Sequence, residues 1–244
     1  NNAFNPLRKR MLLLVPVAFA LAGCASFSQD GGFGSVEQTT QERIGKDLKW
    51  AKTDADRDAI DQRVGELLAK PLSVDDAVQI ALLNNKGLQA SFYELGISES
   101  DLVQAGRLPN PHFSMLRARD GDEFVIEQVF TFNVFSLITM PQVVAIEQRR
   151  FAQVQRAITM QTLSLAAQTR KAYYAAIAAD QTLSYMEQVR RTAEAGAELA
   201  RRMAQVGNWS KLQQAREQSF YADAALNLAR ASQAQIAARE KLTR

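Results

Sequence analysis

The chain holds one thiol and one imidazole, Cys24 and His112. That pair cannot furnish a zinc site of the usual kind, and a single cysteine forms no internal disulfide. Cys24 follows directly on Leu21, Ala22 and Gly23, so small residues lead into the thiol. The chemistry of such a site is cleavage and acylation rather than catalysis. His112 sits beside Pro111 and reads as a strand residue. Asp120, Asp122 and Glu123 flank Gly121 and read as a solvated turn rather than a metal site. Met115, Met140, Met160, Met186 and Met203 are scattered and do not argue for copper binding. No nucleophile–base constellation emerges, so the expectation is a protein without enzymatic activity and without a cofactor beyond a covalent lipid.

The segment before Cys24 explains why acylation is the natural reading. Arg8, Lys9 and Arg10 form a basic region, and Met11 to Leu21 form an apolar stretch of signal-peptide length, too short to span a bilayer. Residues 1–23 are therefore read as a signal peptide, and the Leu21-Ala22-Gly23-Cys24 run resembles the bacterial lipobox. Multiple acyl chains on Cys24 would be a firm anchor, each buried methylene contributing roughly 0.8 kcal/mol. The formal charge is +3 overall and falls to 0 without the leader, whose three cations meet no acid. A neutral mature chain has no electrostatic footprint for nucleic acid. Residues 24–72 are read as a lipid-anchored leash, extended, with helical patches near Glu42–Trp50 and Ala55–Ala69. Fully extended, it would reach at most roughly 160–170 Å.

From Ser73 the pattern sharpens. Ser73 with Asp75 and Asp76 is a helix start, a hydroxyl cap followed by acids in the first turn. The helix is expected over 73–108, pausing near Asn84-Asn85 and stopped by Pro109 and Pro111. Strands are expected at 112–118 and 123–137. In the second, Phe124, Ile126, Phe130, Phe132 and Val134 share one face and make it greasy, against a mixed face of Val125, Glu127, Val129, Thr131 and Asn133.

Pro141 is expected to open a long helix over 141–206, proline being well placed at a first helical position. Every seventh residue from Val144 is apolar: Phe151, Ile158, Leu165, Ala172, Ala179, Met186, Ala193 and Ala200 follow. A repeat held at seven implies a helix that coils on partners. Val206-Gly207-Asn208 supplies a left-handed helix end, and Ser210 with Gln213 a capping box for a return helix over 210–244. The fold class expected is mainly α with a β-hairpin: a long antiparallel helical hairpin or coiled coil, plus two strands of an oligomeric transmembrane β-barrel. Two strands alone leave edges and a greasy face exposed, and closure with other copies in a membrane removes both. The helix lengths suggest a rod with the strands at one end and Gly207 at the other.

The ordered set resembles the TolC family of outer membrane efflux proteins over residues 72–244. It comprises the helix and proline stop from Leu72 to Pro111, the strand pair, and the proline-led long helix. Arg202-Met203-Ala204-Gln205-Val206-Gly207 at the tip and Gln213-Gln214-Ala215-Arg216 in the return helix complete it. The resemblance covers the first of the family's two repeats, so a chain almost twice as long is expected. It implies a homotrimer whose strands face outer membrane lipid. It also implies a passive duct that docks to a periplasmic adaptor and an inner membrane pump. The adaptor-contact tip would be Val206, Gly207, Asn208, Trp209 and Ser210; Asn208 and Trp209 depart from the commoner leucine-type tip. The rival reading is a lipid-anchored periplasmic helical spacer without transport activity, which explains anchor and heptads but not the greasy strand.

Overall fold

The computed structural model describes residues 26–120 and 123–243. The leader and Cys24 lie outside the described residues. In chain order the elements are α1 (Phe33–Ile44), α2 (Asp54–Leu68), α3 (Val74–Asn84), α4 (Lys86–Ala105), β1 (His112–Asp120), β2 (Glu123–Thr131), α5 (Val134–Gln205) and α6 (Lys211–Thr243). The protein is thus mainly helical with one two-stranded antiparallel sheet. It divides into two compact units, and α5 contributes to both.

The first unit comprises residues 26–50 and 86–161. Residues 26–50 do not form the extended leash expected of them. Phe33, Val36 and Leu48 are buried together with Leu88, Phe92, Leu95 and Val103 of α4 and Ile158 of α5. Phe33 meets Phe92 edge-on at 5.0 Å between ring centroids, and Trp50 meets Tyr93 edge-on at 5.4 Å. The Glu99 carboxylate, itself buried, accepts the Ser28 N–H at 2.7 Å. These contacts join residues far apart in the chain, so local apolar spacing gave no sign of them.

The entry into α1 is a left-handed turn at Gly31 (φ 68) and Gly32 (φ 76). The Asp30 carboxylate closes it, accepting N–H bonds from Gly34 at 2.7 Å and Gly32 at 3.1 Å. The Gly34 bond is the main reason that the Asp30 carboxyl sits below its ordinary range. A carbonyl oxygen of the same turn, that of Gly32, accepts the Gln155 side-chain amide at 3.1 Å. A Cβ on Gly32 would stand 2.2 Å from Phe151 Cζ, so only glycine fits there without a shift.

The second unit comprises residues 51–85 and 162–243. Thr53 and Asp56 make a reciprocal capping box for α2, and Ser73 Oγ accepts the Asp76 N–H at the start of α3. Asn85 leaves helical geometry (ψ 114), so the expected 73–108 helix is two helices, α3 and α4, broken where the pattern pauses. Tyr173 Oη donates to the Leu72 carbonyl at 2.8 Å. Ala172, Ala176, Ala193, Ala197 and Ala200 of α5 are buried, as are Ala224 and Ala231 of α6. Small residues let two helix backbones approach closely, and Asp180 joins them with bonds to Gln235 at 2.8 Å and Arg239 at 3.0 Å.

All nine seven-spaced positions from Val144 to Ala200 are buried or half-buried in α5. At 72 residues the helix is about 108 Å long, and α6, at 33 residues, about 50 Å. Two boundaries differ from expectation. The second strand does not run 123–137; it ends at Thr131, because β1 starts at His112 and Thr131 is its partner in the register. Beyond Thr131 no ladder partner is available, since Pro111 precedes His112. The long helix then begins at Val134 rather than at Pro141, with the Asn133 side chain accepting the Ser136 N–H at 3.0 Å as its cap. Pro141 therefore lies inside the helix, and Phe132 and Val134 are not strand residues.

Candidate functional site

Two surfaces stand out, one in each unit. The first is the sheet. The register pairs Phe113 with Phe130, Met115 with Gln128, Arg117 with Ile126 and Arg119 with Phe124. Cross-strand partners share a face, so Phe113 and Met115 join the Ile126 and Phe130 side of β2. Phe113, Met115, Ile126 and Phe130 are each 60% or more exposed. The apolar surface does not stop at the strand end. Phe132, Val134, Phe135 and Ile138 are exposed as well, carrying it into the first turns of α5. Phe132 and Val134 are thus exposed apolar residues outside the strand. The other face alternates His112, Ser114, Leu116 and Ala118 with Thr131, Val129 and Glu127.

Sequence reasoning missed Phe113 and Met115. Their odd-numbered alternation was a usable signal, but only the register shows which β2 face they join. It likewise missed Arg117 and Arg119, two cations on the face otherwise read as apolar. Below the strands, an open cleft of about 530 Å³ is lined by Arg107, Asn110, Ser136, Thr139 and Met140, among others. Its lining holds no carboxylate, imidazole or thiol.

The second surface is the α5–α6 turn. Gly207 adopts φ 82, the left-handed conformation. The Asn208 N–H reaches the Met203 carbonyl at 2.9 Å and the Gly207 N–H reaches Ala204 at 3.2 Å, the double closure of a Schellman end. Ser210 and Gln213 then exchange bonds: Ser210 N–H to Gln213 Oε1 at 2.9 Å, Gln213 N–H to Ser210 Oγ at 3.3 Å. That reciprocal pair is the capping box of α6, which begins at Lys211. The turn is therefore rigid at both ends.

The five tip residues are contiguous, and what they present is mixed. Val206 is 70% exposed, Gly207, Asn208 and Ser210 are exposed, and Trp209 is half-buried. Leu199 and Leu212 extend the exposed apolar area along the two helices, an extension that the tip motif alone did not announce. Between residues 198 and 217 stand four cations, Arg201, Arg202, Lys211 and Arg216, against Glu198 and Glu217. Arg201 grips Glu198 through two bonds at 2.7 and 2.8 Å, and Arg202 adds a third at 2.8 Å. Those bonds, Arg201 first, pull the Glu198 carboxyl down from 4.5 to about 2.

Among the described residues no cluster of His, Cys, Asp and Glu has the makings of a metal site. No described helix is long and apolar enough to cross a membrane. No protein-family model, curated protein or solved structure matches the chain.

Proposed function

We propose that this chain is the wall of an outer membrane export duct: a lipoprotein whose sheet joins a β-barrel with other copies and whose helical hairpin docks a periplasmic adaptor. The observation that carries this reading is the isolated hairpin. Two strands with unpaired edges and a face of exposed Phe113, Met115, Ile126 and Phe130 are unstable in water. Barrel closure in lipid supplies the missing strands and a solvent for that face. The large apolar residues Tyr174, Tyr185, Leu199, Phe220 and Ile236, outside the covered seven-spaced stripe of α5, stay exposed in the single chain and support a helical wall shared with other copies. The tip supports docking through its rigid closure and its excess of cations, which favours an adaptor surface carrying carboxylates. The duct itself would do no chemistry; it would provide a water-filled path for solutes delivered by an inner membrane pump.

The test is site-specific photo-cross-linking from positions 206 to 210, with the protein produced from its own chromosomal gene, beside a transport assay. Gly207→Val places a β-branched residue at φ 82, a strain on the order of 1–2 kcal/mol. No atom stands within 4 Å of the site for an added Cβ to strike, so the helices should survive. The expected result is an outer membrane trimer at normal level with adaptor adducts and transport both reduced. A protein that fractionates without the outer membrane, gives no adduct and moves no solute is a spacer, and the duct reading falls.

A further inference from the structure

The greasy face of the sheet carries two guanidiniums. Arg117 and Arg119 lie on the same side of β1 as Phe113 and Met115, at its turn-proximal end, and both are exposed. They stand about 6.6 Å apart along the strand. On β2 the same face shows Ile126, Gln128 and Phe130, and the position paired with Arg119 is Phe124. Glu127 has the opposite parity, and so do positions 120 and 123.

A random placement of two arginines on a lipid-facing surface would be costly, so their depth matters. The exposed apolar run from Ile138 through Phe135, Val134, Phe132 and Phe130 to Ile126 spans about 33 Å along the chain. At a strand tilt near 45° that is about 23 Å of height, close to the ~25 Å apolar band of an outer membrane barrel. Arg117 pairs with Ile126 and Arg119 with Phe124, both at the turn-proximal end of that run. Both cations thus sit at the edge of the band where lipid headgroups begin, and long stems let arginine lift its charge into them.

We propose that Arg117 and Arg119 form a binding site for the phosphate groups of an anionic lipid in the leaflet that meets the β1–β2 turn. The inference rests on the membrane reading above. Arginine binds phosphate through two parallel N–H bonds, a geometry that lysine cannot reproduce. Both side chains also interact with other groups of the protein, but each guanidinium has five N–H donors, so one protein partner does not exhaust it. Glu127 lies on the opposite face, away from an anionic headgroup bound here.

The protein is purified from its own bacterium and reconstituted in vesicles of phosphatidylcholine alone or with diphosphorylated lipid A. Retained lipid is then read by native mass spectrometry. Wild type should keep lipid A over phosphatidylcholine by about tenfold or more, as one charge-assisted contact is worth roughly that factor. Arg117→Gln with Arg119→Gln should lose the preference while inserting normally, and the double lysine variant should keep part of it. Inorganic phosphate should not displace the lipid. If wild type inserts but shows no preference, or the glutamine variant keeps it, the inference is overturned and the membrane reading stands. Displacement by inorganic phosphate, or cross-links from positions 117 and 119 to a second copy, would assign the site to another occupant and also overturn it. Insertion into neither vesicle removes the membrane reading and the inference with it.

Discussion

Gly32→Ala tests whether residues 26–50 are a packed clamp or a loose leash. Two costs coincide at this position. The backbone has φ 76, and a side chain in the left-handed region costs roughly 1–2 kcal/mol. The new Cβ would also stand 2.2 Å from Phe151 Cζ and 2.9 Å from Gln155 Nε2, while Gln155 holds the Gly32 carbonyl. Overpacking of this kind costs typically about 1–3 kcal/mol, and Phe151, only half-buried, can yield somewhat, which favours the lower half of that range. The sum expected is about 2–4 kcal/mol. Gly45 is the internal control: its φ is 62, and nothing lies within 4 Å of its Cβ position. Gly45→Ala should therefore cost only the backbone share, about 1–2 kcal/mol. Hydrogen exchange and limited proteolysis of residues 26–50 read the local opening directly. In Gly32→Ala this segment should open about five- to thirtyfold more often than in Gly45→Ala, the factor for an extra 1–2 kcal/mol of overpacking. Truncation by Phe151→Ala should shrink the gap, since the clash partner is gone. Equal effects at the two glycines, or a gap untouched by Phe151→Ala, would refute the packing of Gly32 against α5.

Other outcomes follow from the same physics. Cys24→Ser should abolish incorporation of labelled palmitate and leave the protein unprocessed or released from membranes; palmitate still incorporated would show that Cys24 is not the acylated residue. Phe130→Lys should impair membrane assembly by about 2–4 kcal/mol if that face meets the bilayer midplane, whereas Thr131→Lys on the opposite face should cost far less. Equal heat stability of the two variant oligomers in vesicles would sink that assignment. The Glu198 carboxyl titrates near 2 in the folded tip against an ordinary 4.5, so its ion pairs contribute above pH 4.5. That contribution is lost as pH falls from 4.5 toward 2. Exchange protection of residues 198–206 should decline through that window in wild type and not in Glu198→Gln; a flat profile in both would remove the carboxylate from the tip's stability.

Much of the architecture was legible because its causes are local. Caps are written within four residues: Ser73 with Asp76, Ser210 with Gln213, Gly207 with its carbonyl partners. Helix burial follows a period that the chain itself displays, so the seven-spaced residues from Val144 to Ala200 marked the covered stripe of α5 before any coordinates. Alternation likewise marked a greasy β2.

What tertiary structure decided is whatever depends on a distant partner. Strand β2 ends at Thr131 because β1 begins at His112, a fact of pairing that no property of residues 132–137 reveals. Once the ladder is denied, Asn133 becomes a cap, and Pro141 is absorbed into a helix that it was expected to begin. Residues 26–50 look polar and loose because their apolar residues are few. Their order comes from Phe92, Glu99 and Phe151, between about fifty and a hundred and twenty positions away. The faces of β1 were undetermined until the register joined Phe113 to Phe130 and Arg117 to Ile126. Periodicity tells which residues of one element share a side; only packing and pairing tell what that side meets.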